Sequence, residues 1–88
     1  MFWNYLELAD GTRISYGDIR DDGTVPIAVE RPVDFDFCEA RCSLPLCRWS
    51  DVSGFSEDDL CFLEQMIRNN APLIYELAGQ VHAERTVA

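Results

Sequence analysis

The chain of 88 residues is long enough for one hydrophobic core, and it is strongly acidic, with 16 Asp and Glu residues, seven basic residues and a formal net charge of −9. Such a surface repels phosphate backbones, because nucleic-acid binding depends on basic residues that displace counterions. We therefore expect no direct binding of nucleic acid. The hydrophobic fraction of 48% excludes a disordered chain. The sequence predicts a single folded domain over residues 1–88.

The first half of the chain, residues 2–44, predicts antiparallel β-structure. Aromatic and branched residues alternate loosely over residues 2–9, and an Asp-Gly turn signal separates them from a second predicted strand within residues 12–19. Residues 25–29 alternate as a half-buried third strand does. Because proline cannot donate a hydrogen bond to a neighbouring strand, Pro26 predicts that this strand lies at a sheet edge or enters the sheet late.

A further alternating stretch, residues 35–44, predicts a fourth strand before a loop over residues 45–55. Phe37 and Glu39 share one face of this stretch, and Cys38 and Ala40 share the other. Either face is a candidate for the inner one.

The second half of the chain predicts a helical region over residues 56–81. Ser56 and the three acidic residues after it form a helix start, because a hydroxyl caps free N–H groups and carboxylates favour the positive first turn. A break or kink is expected near Pro72. We predict an α+β fold, a sheet of three to four antiparallel strands followed by a C-terminal helix. One face of the helix packs on the sheet through Leu60, Leu63, Ile67, Ile74 and Leu77.

The cysteines are candidate ligands of a structural zinc ion that stabilises a small core. Their spacing lacks the paired C-x2-C knuckles of a strong zinc motif. Two cysteines four residues apart in a regular strand lie about 13 Å apart, too far to bind one ion through Zn–S bonds of about 2.3 Å. A shared site therefore requires a bulge or turn in residues 38–47. The predicted ligands are Cys38, Cys42, Cys47 and Cys61.

Other roles for the cysteines remain open. In one variant of the zinc site, His82 or Asp36 replaces one cysteine. In a second interpretation the cysteines are small hydrophobic residues of the core, since free cysteine is often buried. Disulfides or a reactive thiol are a third. A single histidine and the lack of a recognisable nucleophile, phosphate-loop or metalloprotease motif predict that the protein is not an enzyme.

Residues 1–10 lack the basic and apolar regions of a signal peptide, and no run approaches the roughly 20 apolar residues of a membrane span. We therefore expect a cytoplasmic protein. In that compartment cysteines are thiols or metal ligands rather than structural disulfides.

Acidic residues outside the helix start are candidate partner-binding residues. If residues 34–36 are extended, the two aspartates there project from one face about 6.6 Å apart. Such rows imitate the regularly spaced negative charge of nucleic acid. In the alternative interpretation these aspartates serve only in turns and on the solvated surface. The candidates are Asp18, Asp21, Asp22, Asp34 and Asp36.

Three segments resemble an uncharacterised group of short proteins from gut bacteria and their mobile elements. They are Val29-Glu30-Arg31-Pro32-Val33-Asp34-Phe35, Gly54-Phe55-Ser56 and Asn70-Ala71-Pro72-Leu73-Ile74. The whole chain also resembles the small type II-A anti-CRISPR proteins, which inhibit the RNA-guided effector nuclease and are often acidic. The resemblance implies a binder that blocks guide-RNA loading, target-DNA entry or nuclease rearrangement. A positively charged effector channel gives an acidic chain a physical reason to bind.

Two other functions are compatible with the sequence. The first is an antitoxin or regulatory module that neutralises a basic protein partner, and the second is a structural module whose acidity serves solubility.

Overall fold

The computed structural model describes the backbone of residues 1–87 and the side chains of residues 1–79. Over these residues a five-stranded antiparallel sheet is followed by one helix, which confirms the predicted α+β class. The strand count exceeds the predicted three to four because part of the expected loop, residues 50–53, pairs with the preceding strand. The elements are β1 (Trp3–Glu7), β2 (Arg13–Tyr16), β3 (Val25–Val33), β4 (Asp36–Leu44), β5 (Ser50–Ser53) and α1 (Glu57–Val87).

The sheet is a meander in which each strand pairs with the next one along the chain. Strands β3 and β4 form its longest ladder, which runs from the pair Val25–Leu44 to the pair Val33–Asp36. In β1 the register shifts around Tyr5. This bulge lets Tyr5 reach the helix, where its hydroxyl donates a 2.7 Å hydrogen bond to Oδ1 of Asn70.

The hydrophobic core lies between one face of the sheet and helix α1. Alternate residues of β2, β3 and β4 are buried on this face, as the period of two in a strand requires. In β4 the inner residues are Cys38, Ala40, Cys42 and Leu44, which decides the alternative left open by the sequence. The helix contributes the fully buried residues Leu63, Ile67, Ile74 and Ala78, while Leu60 and Leu77 are partly buried.

Strand β3 is the central strand of the sheet, so the edge position predicted from Pro26 is wrong. The alternative prediction, late entry into the sheet, agrees with the pairing of β3 with β2, which begins only at Ile27. The carbonyl of Pro26 accepts a 2.9 Å hydrogen bond from the N–H of Gly17. Because the N–H and C=O of a strand residue point to the same side, the missing N–H of Pro26 faces the β2 side. Strand β2 ends at Tyr16, opposite Ile27. The regular ladder between β2 and β3 therefore stops before Pro26 and does not need a hydrogen bond from its nitrogen.

Helix α1 begins with the predicted cap and continues through Pro72. The N–H of Asp59 donates to Oγ of Ser56 (3.1 Å), and the N–H of Ser56 donates to Oδ2 of Asp59 (3.2 Å), which forms a reciprocal capping box. The helix extends to Val87, so neither the break near Pro72 nor the end near residue 81 is observed. Pro72 lies on the exposed face, where water can bind the carbonyl of Arg68 that loses its helical partner.

Candidate functional site: the tip of the β3–β4 hairpin

The tip of the β3–β4 hairpin, residues Val33–Phe37, projects beyond the other strands. Val33 pairs with Asp36, so only Asp34 and Phe35 connect the two strands. Phe35 has a positive φ of 64°. This left-handed conformation is uncommon for any residue other than glycine and is unfavourable for a bulky one.

The side chains of the hairpin tip are apolar and exposed. Phe35 is completely exposed, while Val33 and Phe37 retain 46% and 50% of their accessible surface. Single exposed apolar residues are common on soluble proteins, but a contiguous group is typical of an interaction surface. The tip therefore offers an aromatic residue that the described part of the chain does not bury.

Arg31 anchors the base of the hairpin tip to the rest of the molecule. Its Nε donates a 2.8 Å hydrogen bond to Oγ1 of the buried Thr12. Its Nη atoms lie 3.3 Å from Oδ2 of Asp10 and 3.4 Å from Oδ2 of Asp59. The guanidinium also lies over the Phe55 ring, 5.0 Å from its centroid. These contacts tie β3 to the β1–β2 turn and to the start of α1.

The charge around the hairpin tip is negative. Asp34 and Asp36 are both exposed, and residues 32–40 contain no basic side chain. Oδ1 of Asp36 accepts a 2.8 Å hydrogen bond from the N–H of Phe37. Asp34 lies in the turn and Asp36 begins β4, so the extended row predicted for these two residues is not formed. They flank Phe35 instead.

The other three candidate aspartates lie at the opposite end of the sheet. They belong to the β2–β3 connection, and β3 separates them from the hairpin tip by nine residues, roughly 27 Å at the usual rise per residue. One continuous acidic surface therefore does not join the two groups. Their residues are Asp18, Asp21 and Asp22.

Asp22 has a structural role in the β2–β3 connection. Its Oδ1 accepts hydrogen bonds from N (3.0 Å) and Oγ1 (2.7 Å) of Thr24. These bonds lower the pKa of Asp22 because they favour the charged carboxylate, and Arg20 adds a smaller effect in the same direction. The neighbouring Gly23 is linked to the helix, because the hydroxyl of Tyr75 donates a 2.9 Å hydrogen bond to the Gly23 carbonyl.

The cysteines do not form one cluster. Cys38 and Cys42 both lie in strand β4, which pairs with β3 in regular register from one cysteine to the other, so the strand does not turn between them. Cys42 and Cys47 do approach each other, with their Sγ atoms 3.4 Å apart, whereas Cys61 is exposed on α1. The side chain of His82 lies outside the described residues.

The residues present therefore do not fit a four-cysteine zinc site. Within the described residues, no group of three or more His, Cys, Asp or Glu side chains is arranged to hold a metal ion. Only Cys42 and Cys47 lie close together among the described cysteines, and they supply two of the four ligands that a closed zinc site uses. Bound zinc remains a prediction, to be tested by metal analysis of the purified protein.

The hairpin tip contains two of the five aspartates predicted from sequence, Asp34 and Asp36, but its aromatic residue and its anchor were not predicted. Phe35 and Arg31 were not singled out, because a two-residue turn preserves the alternation of Val33, Phe35 and Phe37 and so resembles a continuous strand. The arrangement offers contact area and charge, which suit binding.

Comparison of the chain with protein-family models, curated proteins and solved structures yields no significant match. No helix within the described residues is long and apolar enough to cross a membrane.

Proposed function

We propose that the protein is a non-enzymatic binding module whose hairpin tip inserts Phe35 into an apolar pocket of a basic protein partner. The observation that carries this proposal is the complete exposure of Phe35 in a conformation that favours glycine. A left-handed conformation costs an ordinary residue on the order of 1 kcal/mol. No burial of Phe35 within the described residues offsets that cost, whereas burial in a partner contributes about 2 kcal/mol.

Charge supports a basic partner. The net charge of −9 accelerates encounter with a positive surface and repels phosphate groups. Asp34 and Asp36 flank the aromatic residue, so a pocket rimmed by Arg or Lys side chains complements the tip. In this geometry Phe35 supplies contact area and the two aspartates orient the approach.

The partner we propose is the type II CRISPR effector nuclease, whose positively charged nucleic-acid channel has the required sign. Occupation of that channel by an acidic protein blocks DNA binding or cleavage, as the resemblance to anti-CRISPR proteins implies. The acidic hairpin tip then acts as a nucleic-acid mimic. Neutralisation of a small basic toxin is the alternative function that the same surface serves.

The experiment is a DNA-cleavage assay with purified guide-loaded type II effector nuclease and increasing protein. Phe35→Gly removes the aromatic ring and suits the positive φ. We expect it to weaken inhibition roughly tenfold or more, in the range of an interface hot spot. The double variant Asp34→Arg/Asp36→Arg should lose inhibition most strongly at low salt, where charge attraction is least screened.

Asp21→Arg is the matched control, because it reverses an exposed aspartate at the far end of the sheet. It should inhibit nearly as well as the unchanged protein. Undiminished cleavage at saturating protein contradicts the nuclease assignment. Equal inhibition by the unchanged protein and Phe35→Gly contradicts the use of the hairpin tip. A small basic toxin encoded beside this protein, with binding sensitive to Phe35→Gly, supports the antitoxin alternative.

A further inference from the structure

We propose that Cys42 and Cys47 form a redox-active dithiol that hydrogen peroxide oxidises reversibly to an intramolecular disulfide. Their Sγ atoms lie 3.4 Å apart, one near the end of β4 and the other in the turn that follows it. A disulfide bond is about 2.05 Å long, so the sulfur atoms must approach by about 1.4 Å. This inference does not depend on the function proposed for the hairpin tip.

The backbone directs Cys47 back towards Cys42. The N–H of Cys47 donates a 2.7 Å hydrogen bond to the carbonyl of Ser43, which closes the turn. Cys47 also has a positive φ of 55°. Non-glycine residues in this region carry a conformational cost, and such residues concentrate at functional sites. Both thiols are buried in the hydrophobic core, and the turn keeps their sulfur atoms together.

The hydrogen bond between the two sulfur atoms makes the thiols chemically unequal. It lowers the pKa of Cys47, because a hydrogen bond donated by the Cys42 thiol stabilises the Cys47 thiolate, and burial opposes the shift. The same hydrogen bond, followed by burial, raises the pKa of Cys42. The thiolate is the nucleophile in cysteine oxidation, and each sulfur of the pair has the other within 3.4 Å as a hydrogen-bond partner.

The oxidation then proceeds in two balanced steps. One sulfur of the pair, as its thiolate, attacks one oxygen of hydrogen peroxide; an S–O bond forms, the O–O bond breaks, and the departing hydroxide takes up a proton to become water. The second sulfur next attacks this sulfenic acid and gives up its proton. The S–S bond forms, the S–O bond breaks and a second water leaves. A dithiol reductant reverses the reaction by thiol–disulfide exchange.

The surroundings of the dithiol provide access and a connection to the helix. A cleft of about 330 Å³ borders the turn, and Cys42, Pro45 and Arg48 are among its lining residues. Cys47 is buried behind them, so peroxide in the cleft meets the pair of thiols at Cys42. Nη2 of Arg68 on α1 donates a 2.7 Å hydrogen bond to the carbonyl of Leu46, between the two cysteines in the chain. Peroxide is small enough to enter the cleft, and closure of the disulfide tightens a turn that the helix holds.

The test uses a Cys61→Ser protein, because Cys61 is exposed and its own oxidation would complicate the result. The protein is treated with hydrogen peroxide in the folded state and in urea, its free thiols are alkylated, and it is digested with trypsin. Cleavage after Arg41 and Arg48 releases one peptide that holds both Cys42 and Cys47. Mass spectrometry should show this peptide unalkylated and lighter by two hydrogen atoms.

We expect the disulfide to form about tenfold faster in the folded protein than in urea, because the fold holds the two sulfur atoms close. Dithiothreitol should restore two alkylatable thiols. In Cys42→Ser, peroxide should leave a sulfenic acid on Cys47 that dimedone traps. Disulfide formation in urea that equals or exceeds the folded rate overturns the proposal. Irreversible sulfinic acid as the main product of the folded protein overturns it as well.

Discussion

Nη1 of Arg31 lies 3.4 Å from Oδ2 of Asp59, and this contact joins the base of the hairpin tip to the first turn of helix α1. The same guanidinium donates to Oγ1 of Thr12, which is fully buried. One side chain therefore connects three segments that are distant in sequence. Its side chain is only 22% exposed, so these interactions are partly shielded from water.

Arg31→Ala should lower the free energy of unfolding by about 2 kcal/mol, because the variant removes hydrogen bonds of a charged donor and the contact with Phe55. Arg31→Lys should restore only part of the loss, because an ammonium group lacks the planar fork of the guanidinium. The measurement is urea unfolding followed by circular dichroism. The control is Arg13→Ala, whose ion pair with Glu7 is largely exposed and should contribute little to stability. Equal losses in the two alanine variants would contradict the role of Arg31.

Acid should destabilise the fold through the carboxylates that cap its turns. Hydrogen bonds from N and Oγ of Ser56, and then the charge of Arg31, lower the pKa of Asp59 in the folded state below its ordinary value of 3.8. Hydrogen bonds from Thr12 do the same for Asp10. A carboxylate whose pKa is lower in the folded than in the unfolded protein stabilises the fold at pH values above its ordinary pKa. This contribution is lost as the pH falls through the pKa of the folded state.

We therefore expect the urea midpoint to stay level near neutral pH and to fall as the pH drops below about 4. Asp59→Asn should reduce the midpoint at pH 7 and flatten its dependence on acid. Asp21→Asn, with the same change of charge at an exposed turn, should leave the slope nearly unchanged. The measurement is the urea midpoint from pH 7 to pH 2.5, and an unaltered slope in Asp59→Asn would exclude this linkage.

The start of the helix is predictable from local sequence signals. The arrangement of the strands depends instead on the register in which they pair. Ser56 and the acidic residues after it act within one turn, so the sequence shows them directly. The position of β3 depends on where β2 ends, which Pro26 alone does not reveal. Strand β5 pairs with β4 through its backbone while its four residues are exposed, so it lacks the hydrophobic alternation that marks a strand.

The candidate site depends on the same non-local information. Phe35 continues the alternation of its neighbours, and only the pairing of Val33 with Asp36 reveals that it lies in a turn. The spacing of Cys42 and Cys47 suggests a shared role only when the turn after β4 is known. The aspartates and cysteines are therefore predictable as candidates from the sequence, but which of them lie together is not.

Two glycines with positive φ should respond differently to alanine. A Cβ atom at Gly54 would lie 2.7 Å from Sγ and 3.3 Å from Cα of Cys38, whereas a Cβ atom at Gly23 would have no neighbour within 4 Å. Gly54→Ala adds a steric clash to the conformational cost and should destabilise by about 3 kcal/mol. Gly23→Ala should cost about 1 kcal/mol. Thermal unfolding measures both, and equal losses would argue against close packing at Gly54.

Oxidation of Cys42 and Cys47 should raise stability. A disulfide across this short loop removes conformations from the unfolded chain, and loop-closure entropy gives a gain of about 2 kcal/mol when the native geometry is unstrained. The measurement compares urea unfolding of the oxidised and reduced Cys61→Ser protein. The Cys42→Ser variant of that protein serves as control and should show no such gain after the same treatment. A lower midpoint for the oxidised protein would show that the folded turn must distort to close the bond.

Phe35→Gly should separate stability from binding. Glycine adopts the 64° φ of this position without the steric cost of a side chain, and Phe35 loses no buried contact because it is fully exposed. Glycine also increases the entropy of the unfolded chain, which offsets part of the gain. We therefore expect the variant to be as stable as the unchanged protein or up to about 1 kcal/mol more stable, although it binds its partner less well. Phe35→Ala is the matched comparison, since it removes the ring but keeps a Cβ atom at positive φ, and it should be less stable than Phe35→Gly. Thermal unfolding of the three proteins measures this order, and a large loss of stability in Phe35→Gly would indicate that the ring supports the hairpin itself.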